Sequence, residues 1–370
     1  MAVVFRAPFS FTGEDTAEFH LHGGAALAAA ALDAVLAAGA RLAEPGEFSK
    51  RAFINGKIDL SAAEGIISLI TAESEAELRA AAALADGEMF KACKRLSAAA
   101  TDILAEIETG IDFPDADAGQ EDAAALSPKI AEIIAETDNL LSTREAARHI
   151  KDGINIVIAG LPNVGKSSLL NALLKYDRAI VTPAAGTTRD TISETFTYRG
   201  VKMRVTDTAG IRESSDLTET LGVERSRKAA AAADVIILLK DAESGEPDIK
   251  FGSKKVIEVV NKCDLPILKN ITGLKISAFT GEGITALLDK IYEMFIGGEV
   301  FSGGLMLIEA RHYEALLRAS AALKAAAESV LPELIAEDMR EALLCFSEIT
   351  GESLSERVVD RIFEKFCLGK

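Results

Sequence analysis

Apolar residues along this chain keep two different periods, and the change between them divides it. From 59 to 111 they fall three and four apart, at Ile66, Ile67, Leu69 and Ile70 and again at Ile103, Leu104, Ile107 and Ile111, which predicts helix with one buried face. The stretch "DFPDAD" breaks that pattern. "LSPKIAEIIAETDNLLSTREAARHI" predicts another helix, with Ser127 as N-cap and Pro128 at the first helical position, where a missing N–H costs nothing. At Gly153 the texture turns to short β-branched runs. "INIVIAG", "KMRVTDT", "DVIILLK", "KKVIEVVNK" and "LKISA", separated by helical segments, predict buried parallel strands of a doubly wound α/β sheet. After "GGEVFSGG" the helical spacing returns and predicts helices from 309 to 330 and from 332 to 366. The first 57 residues are mixed: a strand at "AVVF", a loop through "FTGEDTAE", an alternation in "EFHLHGG" that puts His20 and His22 on one face of a strand, and a helix from 24 to 38.

An α/β domain is therefore expected between two helical stretches that pack together as one discontinuous all-α domain. The expected boundaries are 1–57 for an N-terminal α/β part, 58–152 and 298–370 for the two helical parts, and 153–297 for the inserted domain. With 370 residues, 49% hydrophobic and 26% charged, the chain can build two or three real cores. No apolar run approaches the ~18 residues of a membrane span. The opening "MAVVFRAPFSFTGED" lacks the basic start and long apolar middle of a secretory signal, so a cytoplasmic protein with no membrane partner is expected. Cys93, Cys263, Cys345 and Cys367 are scattered, and His20, His22, His149 and His312 are too dispersed to form a ligand set, which argues against disulfides and structural zinc.

The net charge of −17 is unevenly spread. Residues 1–151 carry 13 Lys+Arg against 25 Asp+Glu, residues 152–297 carry 19 against 19, and residues 298–370 carry 8 against 13. The acidic excess lies wholly in the flanks, and the net charge argues against promiscuous adhesion to nucleic acid. A local basic patch, or RNA delivered by a partner, stays compatible with it.

The inserted segment carries the chemistry. "GLPNVGKS", Gly160 to Ser167, is a complete GxxxxGKS between a predicted strand and a predicted helix. In that context the amides of Asn163, Val164, Gly165, Lys166, Ser167 and Ser168 surround a β-phosphate, the Lys166 ammonium reaches β/γ oxygens, and the Ser167 hydroxyl suits Mg²⁺. "NKCD" supplies Asn261, Lys262 and Asp264, whose carboxylate can accept from both N1–H and the exocyclic amine of guanine, a donor pair that adenine lacks. Ser277 and Ala278 follow another strand and suit the loop whose backbone N–H meets guanine O6. In "DTAG", Asp207 can hold Mg²⁺ through water, Thr208 and Ala209 continue the turn, and the Gly210 amide lies where a γ-phosphate is sensed. "TPAAGTTRD" occupies the first switch position, with Thr188 as the threonine that completes Mg²⁺ and Thr187 its neighbour. Together these motifs point to GTP. Small G proteins place a water-orienting glutamine after DTAG; this chain places Ile211.

The flanks narrow the family. "FTGEDTAEFHLHGG", "EPGEFSKRAFINGKIDLSAAEGI", "DFPD", "GLPNVGKSSLLNAL", "AAGTTRD", "DTAGIRE" and the terminal "FCLGK" closely resemble the tRNA modification GTPases of the MnmE (TrmE) family, across essentially the whole chain. That resemblance implies a folate-binding N-terminal domain and a P-loop GTPase domain inserted into a helical one. It also implies a homodimer that works with an FAD-dependent MnmG-like partner to install an aminomethyl-type group at C5 of the wobble uridine of certain tRNAs. Potassium activation comes with it, with Asn163, Thr182, Ala184 and Thr187 matching the family's K⁺ ligands and Glu219 matching the acid that positions water. Arg189 and Arg212 are open to phosphate contact or to surface salt bridges. Glu18, Lys57 and Lys370 match ligands of 5-formyltetrahydrofolate, and Cys367 is either a buried helix-end thiol or a participant in nucleophile or proton chemistry near the folate. By alignment of the shared motifs, family members begin about sixty residues earlier, with a segment that supplies another folate ligand. The alternatives left by the residues are a regulatory, ribosome-assembly type of GTPase switch, against which the acidic helical C-terminal flank counts, and a degenerate member that hydrolyses GTP without modifying tRNA.

Overall fold

The structure, a computed structural model, describes residues 1–112, 123–175, 193–207, 232–241, 254–265, 272–297, 304–364 and 366. The described chain divides into two compact units: 1–71, 81–142 and 305–370 form the first, and 72–80 with 143–304 form the second.

In the first unit, β1 (Ala2–Phe5) and β2 (Thr16–Phe19) pair antiparallel, with Ala2 opposite Phe19. Part of "FTGEDTAE" is thus strand instead of loop, and β2 ends before His20 and His22, so those histidines do not share a strand face. Helices α1 (Ala25–Ala37) and α2 (Glu47–Ile54) follow. The helical run from 59 to 111 is three helices: α3 (Leu60–Thr71), α4 (Glu75–Ala85) and α5 (Glu88–Asp112). On α3 the buried residues after Leu60 are small, Ser61, Ala62, Ala63, Gly65 and Ser68, while Ile70 is 43% exposed. Gly65 permits the close approach on this side, since a Cβ there would stand 2.4 Å from the backbone N of Ala85, while Ile67 packs against a neighbouring core.

Helix α6 (Ala123–Ser142) starts earlier than Ser127 and contains Pro128, because the Ala-rich "AAAL" before it continues helix. Among the described residues of the C-terminal flank three helices form: α10 (Ala310–Glu328), α11 (Pro332–Thr350) and α12 (Glu356–Phe363). The expected second helix divides at Gly351, whose φ of 90° caps α11 in the left-handed region. Helices α5, α6, α10 and α11 form a bundle, two from before the insert and two from after it. Its seam repeats three and four apart: Leu126, Ile130 and Ile133 on α6, then Ala315, Leu316, Ala319, Leu323 and Ala326 on α10. A second core joins Leu60 and Ala63 of α3 to Val359 and Phe363 of α12 and Phe366 beyond it, with Phe53 of α2 against them.

The second unit holds a six-stranded sheet in the order β4-β5-β3-β6-β7-β8. Its strands are β3 (Ile154–Gly160), β4 (Ser193–Tyr198), β5 (Val201–Asp207), β6 (Val235–Lys240), β7 (Lys255–Val260) and β8 (Leu274–Lys275). All five predicted strands pair parallel; β4, which the pattern does not predict, pairs antiparallel with β5 at the edge. Central β6 is buried at every residue, as a parallel strand covered on both faces must be. Among the described residues of this unit, helices α7 (Arg144–Asp152), α8 (Lys166–Leu173) and α9 (Ile284–Phe295) accompany the sheet.

Candidate functional site

Parallel strands end on one edge of the sheet, and the loops leaving that edge form the site, as in open α/β sheets generally. Gly160 to Ser167 leaves β3, Asn261 to Asp264 leaves β7, and Ser277 and Ala278 leave β8.

The P-loop turns through Asn163, with φ of 64°, and Gly165, with φ of 95°, into the first turn of α8. Gly165 has no side chain to cap that helix, so no N-cap oxygen competes with an anion at the start of α8. Lys166 arches back over its own loop: Nζ donates to Gly160 O at 3.2 Å and to Leu161 O at 2.9 Å. Val164 is buried, while Asn163, Ser167 and Ser168 are exposed at the mouth.

Asn261 holds the three loops together. Its Nδ2 donates to Val164 O at 2.9 Å, its Oδ1 accepts from Ala278 N at 2.9 Å, and its own N–H donates to Lys240 O at 2.8 Å. The side chain is buried at 3% exposure, so each of these bonds is shielded from competing water. Glycine is required opposite it, since a Cβ on Gly165 would lie 2.4 Å from Asn261 Nδ2. The Ala278 amide, matched in sequence to guanine O6, is thus already engaged by Asn261, and a bound base must share it. Ser277 is buried and shapes its loop: Oγ accepts from Thr280 N at 3.1 Å and the backbone N–H donates to Glu282 O at 2.9 Å.

Lys262 is left-handed, with φ of 64°, and its Nζ meets Asp241 Oδ2 at 2.7 Å. The turn closes with Leu265 N donating to Lys262 O at 3.0 Å and Cys263 N to Ile276 O at 3.0 Å. Asp264 emerges exposed from it. Burial, with Glu282 and Asp264 nearby, pushes the Cys263 thiol pKa up, so it is kept as a thiol. Asp241 and Lys240, both buried, are functional candidates that the motifs do not contain. The available signal is "LLKD", two charges directly after an apolar strand that ends on the site's edge.

Asp207 closes β5 beside Ile158 in register. Thr182, Ala184, Thr187, Thr188, Thr208, Ala209, Gly210, Glu219, Cys367 and Lys370 lie outside the described residues.

In the first unit Glu18 and Lys57 are both exposed and have separate partners: Glu18 Oε2 is 3.2 Å from His20 Nε2, and Lys57 Nζ donates to Pro8 O at 2.9 Å. A cleft of about 280 Å³ nearby is lined by Thr12, Glu14, Arg41, Glu47 and Arg51 among others, and includes neither of them. Its charges answer one another, Arg51 bridging Glu14 at 2.8 Å and Glu47 at 2.7 Å. The Arg41 guanidinium, the Glu44 amide and Arg51 hold the Glu47 carboxyl at about 2.

Family models match both flanks: the GTP-binding protein TrmE N-terminus over residues 1–57 and the MnmE helical domain over residues 60–367. The tRNA modification GTPase MnmE of Akkermansia muciniphila is 42% identical over 99% of this chain and 84% of its own length. That of Syntrophotalea carbinolica is 40% identical over 100% of this chain and 85% of its own. Among solved structures, Era Y63A of Aquifex aeolicus bound to GDP·AlF₄⁻ is 28% identical over 48% of this chain and 69% of that one, with a TM-score of 0.31. Among the described residues no helix is long and apolar enough to cross a membrane. With its nucleotide loops and both flanks carried along nearly the full length of such relatives, the chain belongs to the MnmE family of tRNA modification GTPases.

Proposed function

We propose that this chain binds and hydrolyses GTP and that hydrolysis drives modification of the wobble uridine of tRNA, in a homodimer working with an FAD-dependent partner. The observation that carries the nucleotide reading is Asn261, which joins the P-loop, the guanine turn and the Ser277–Ala278 loop in one buried hydrogen-bonded knot.

In this reading the Asp264 carboxylate accepts two hydrogen bonds from the guanine edge. Phosphate oxygens sit on the N-terminal amides of α8, and Lys166 exchanges its two loop carbonyls for β/γ oxygens, anionic acceptors in place of neutral ones. Ser167 and Thr188 would hold Mg²⁺, with Asp207 behind a water; Asn163, Thr182, Ala184 and Thr187 would hold K⁺. The exposed oxygens of Ser167 and Asn163 fit such hard cations. Bound there, the two cations supply positive charge that offsets the charge developing on the transferring phosphoryl group. Glu219 orients the attacking water in place of a glutamine at 211, and the Ile211 side chain helps exclude bulk water. Folate binding through Glu18, Lys57 and Lys370, with Cys367 close by, belongs to the same reading as its second activity.

The test is mass analysis of wobble uridines from cells whose only family member is this chain. Modified uridines with the wild-type chain and unmodified ones with Lys166→Ala are expected. Unmodified uridines with both, from a chain that hydrolyses GTP, would overturn the tRNA role.

A further inference from the structure

The geometry points to Asp241 as a positioning residue for guanine recognition: through Lys262 it fixes the turn that aims Asp264. The inference rests on reading Asn261 to Asp264 as the base-binding turn.

Strands β6 and β7 pair in register up to Lys240 opposite Val260. Residues 241 and 261 are consequently the first beyond the sheet on neighbouring strands. Two bonds bridge the strands there. Lys240 O accepts from Asn261 N at 2.8 Å, and Asp241 Oδ2 accepts from Lys262 Nζ at 2.7 Å. With the backbone between them they close a ring around Lys262. That residue has φ of 64°, a region an L-lysine adopts only when something compensates. Asp241 is well placed to compensate. Its side chain is 7% exposed against 38% for Lys262, so the carboxylate is the desolvated, immobile partner and the lysine is the one held.

The φ of Lys262 decides where the next residues point, and Asp264 is two residues on. Reading guanine requires both acceptor atoms of that carboxylate to align with N1–H and the 2-amino group. Small misplacement loses the paired geometry while leaving phosphate contacts intact. Asp241 therefore acts on the base end of the nucleotide, and specifically on the group that distinguishes guanine from hypoxanthine.

The test is the dissociation rate of N-methylanthraniloyl-GDP and of the matching inosine diphosphate from the full chain, as wild type, Asp241→Asn, Lys262→Met and the double variant. Asp241→Asn should release the guanine nucleotide about tenfold faster or more, a change of ~1.4 kcal/mol, while release of the inosine nucleotide changes less, so that the ratio of the two rates falls. Lys262→Met should do the same, and the double variant no more than either alone. Lys262 is partly exposed, so its variant tests the idea even where Asp241→Asn lowers stability. A wild-type guanine-to-inosine ratio in Lys262→Met, or effects that add in the double variant, would refute the positioning role. A wild-type chain that fails to bind guanine nucleotide at all would instead remove the reading on which it rests.

Discussion

At the scale of single residues, guanine selectivity turns on which atoms meet the base edge. The exposed Asp264 carboxylate has only acceptors to offer, which suits two donors on one base edge. Asp264→Asn keeps the shape and reverses half the pattern, since its amide can donate to a carbonyl at the base's 2-position. We expect affinity for GDP to fall about ten- to a hundredfold, the worth of one charged hydrogen bond or somewhat more. Affinity for xanthosine diphosphate should rise, and titration of both nucleotides checks it; a variant that still prefers GDP contradicts the assignment. Asn261, Lys166 and Asp264 were legible in the sequence because their chemistry is tied to local spacing. Asp241 was not, because its relation to Lys262 arises only when β6 and β7 pair in register across residues distant in sequence. The engaged Ala278 amide was hidden for the same reason.

Between elements, the clearest device is the knot joining α3 to α10 and α11 in the first unit. Arg311 reaches Glu64 with Nε at 3.0 Å and a terminal nitrogen at 2.7 Å, and also donates to Ile349 O at 3.0 Å. His312 Nε2 lies 2.7 Å from the same carboxylate, and Ser68 Oγ donates to Glu309 one turn along at 2.9 Å. Burial alone would raise the Glu64 pKa, but the charges and hydrogen bonds of His312 and Arg311 outweigh it and hold the carboxyl at about 2, against an ordinary 4.5. A depressed carboxylate pKa stabilises the fold above the unfolded value and ceases to as pH falls toward the folded one. The first unit should therefore lose ~3 kcal/mol between about pH 5 and pH 2 from this group. Denaturant titrations across that range check it, and Glu64→Gln should flatten the dependence while lowering stability at neutral pH, since it leaves the Arg311 guanidinium without its charge partner. The pattern of apolar residues predicted most of these elements but not their faces or ends. Glycine at 65 and alanines around it buried the small side of α3, helix-forming alanines carried α6 past Ser127, and Gly351 divided the last helix. Edge strand β4, "SETFTY", alternates with Phe196 and Tyr198 buried, a half-buried edge-strand signal unlike the continuous apolar runs from which the other strands are read.

For the whole molecule, sequence shows an α/β segment between helical flanks, and the structure shows what that arrangement requires: a bundle built from α5 and α6 on one side of the insert and α10 and α11 on the other. Asp138 of α6 accepts from Ser320 Oγ of α10 at 2.7 Å and pairs with Lys324 at 2.9 Å, so polar contacts as well as the seam bind the two halves. At its core the proposed function is that the chain hydrolyses guanine nucleotide specifically and that potassium accelerates the step. Phosphate release by the purified chain with Mg²⁺, supplied with GTP or ATP in potassium chloride or in sodium chloride at equal ionic strength, tests it most directly. The account predicts hydrolysis of GTP and not ATP, faster in potassium than in sodium; equal rates for the two nucleotides, or equal GTP rates in the two salts, would contradict it.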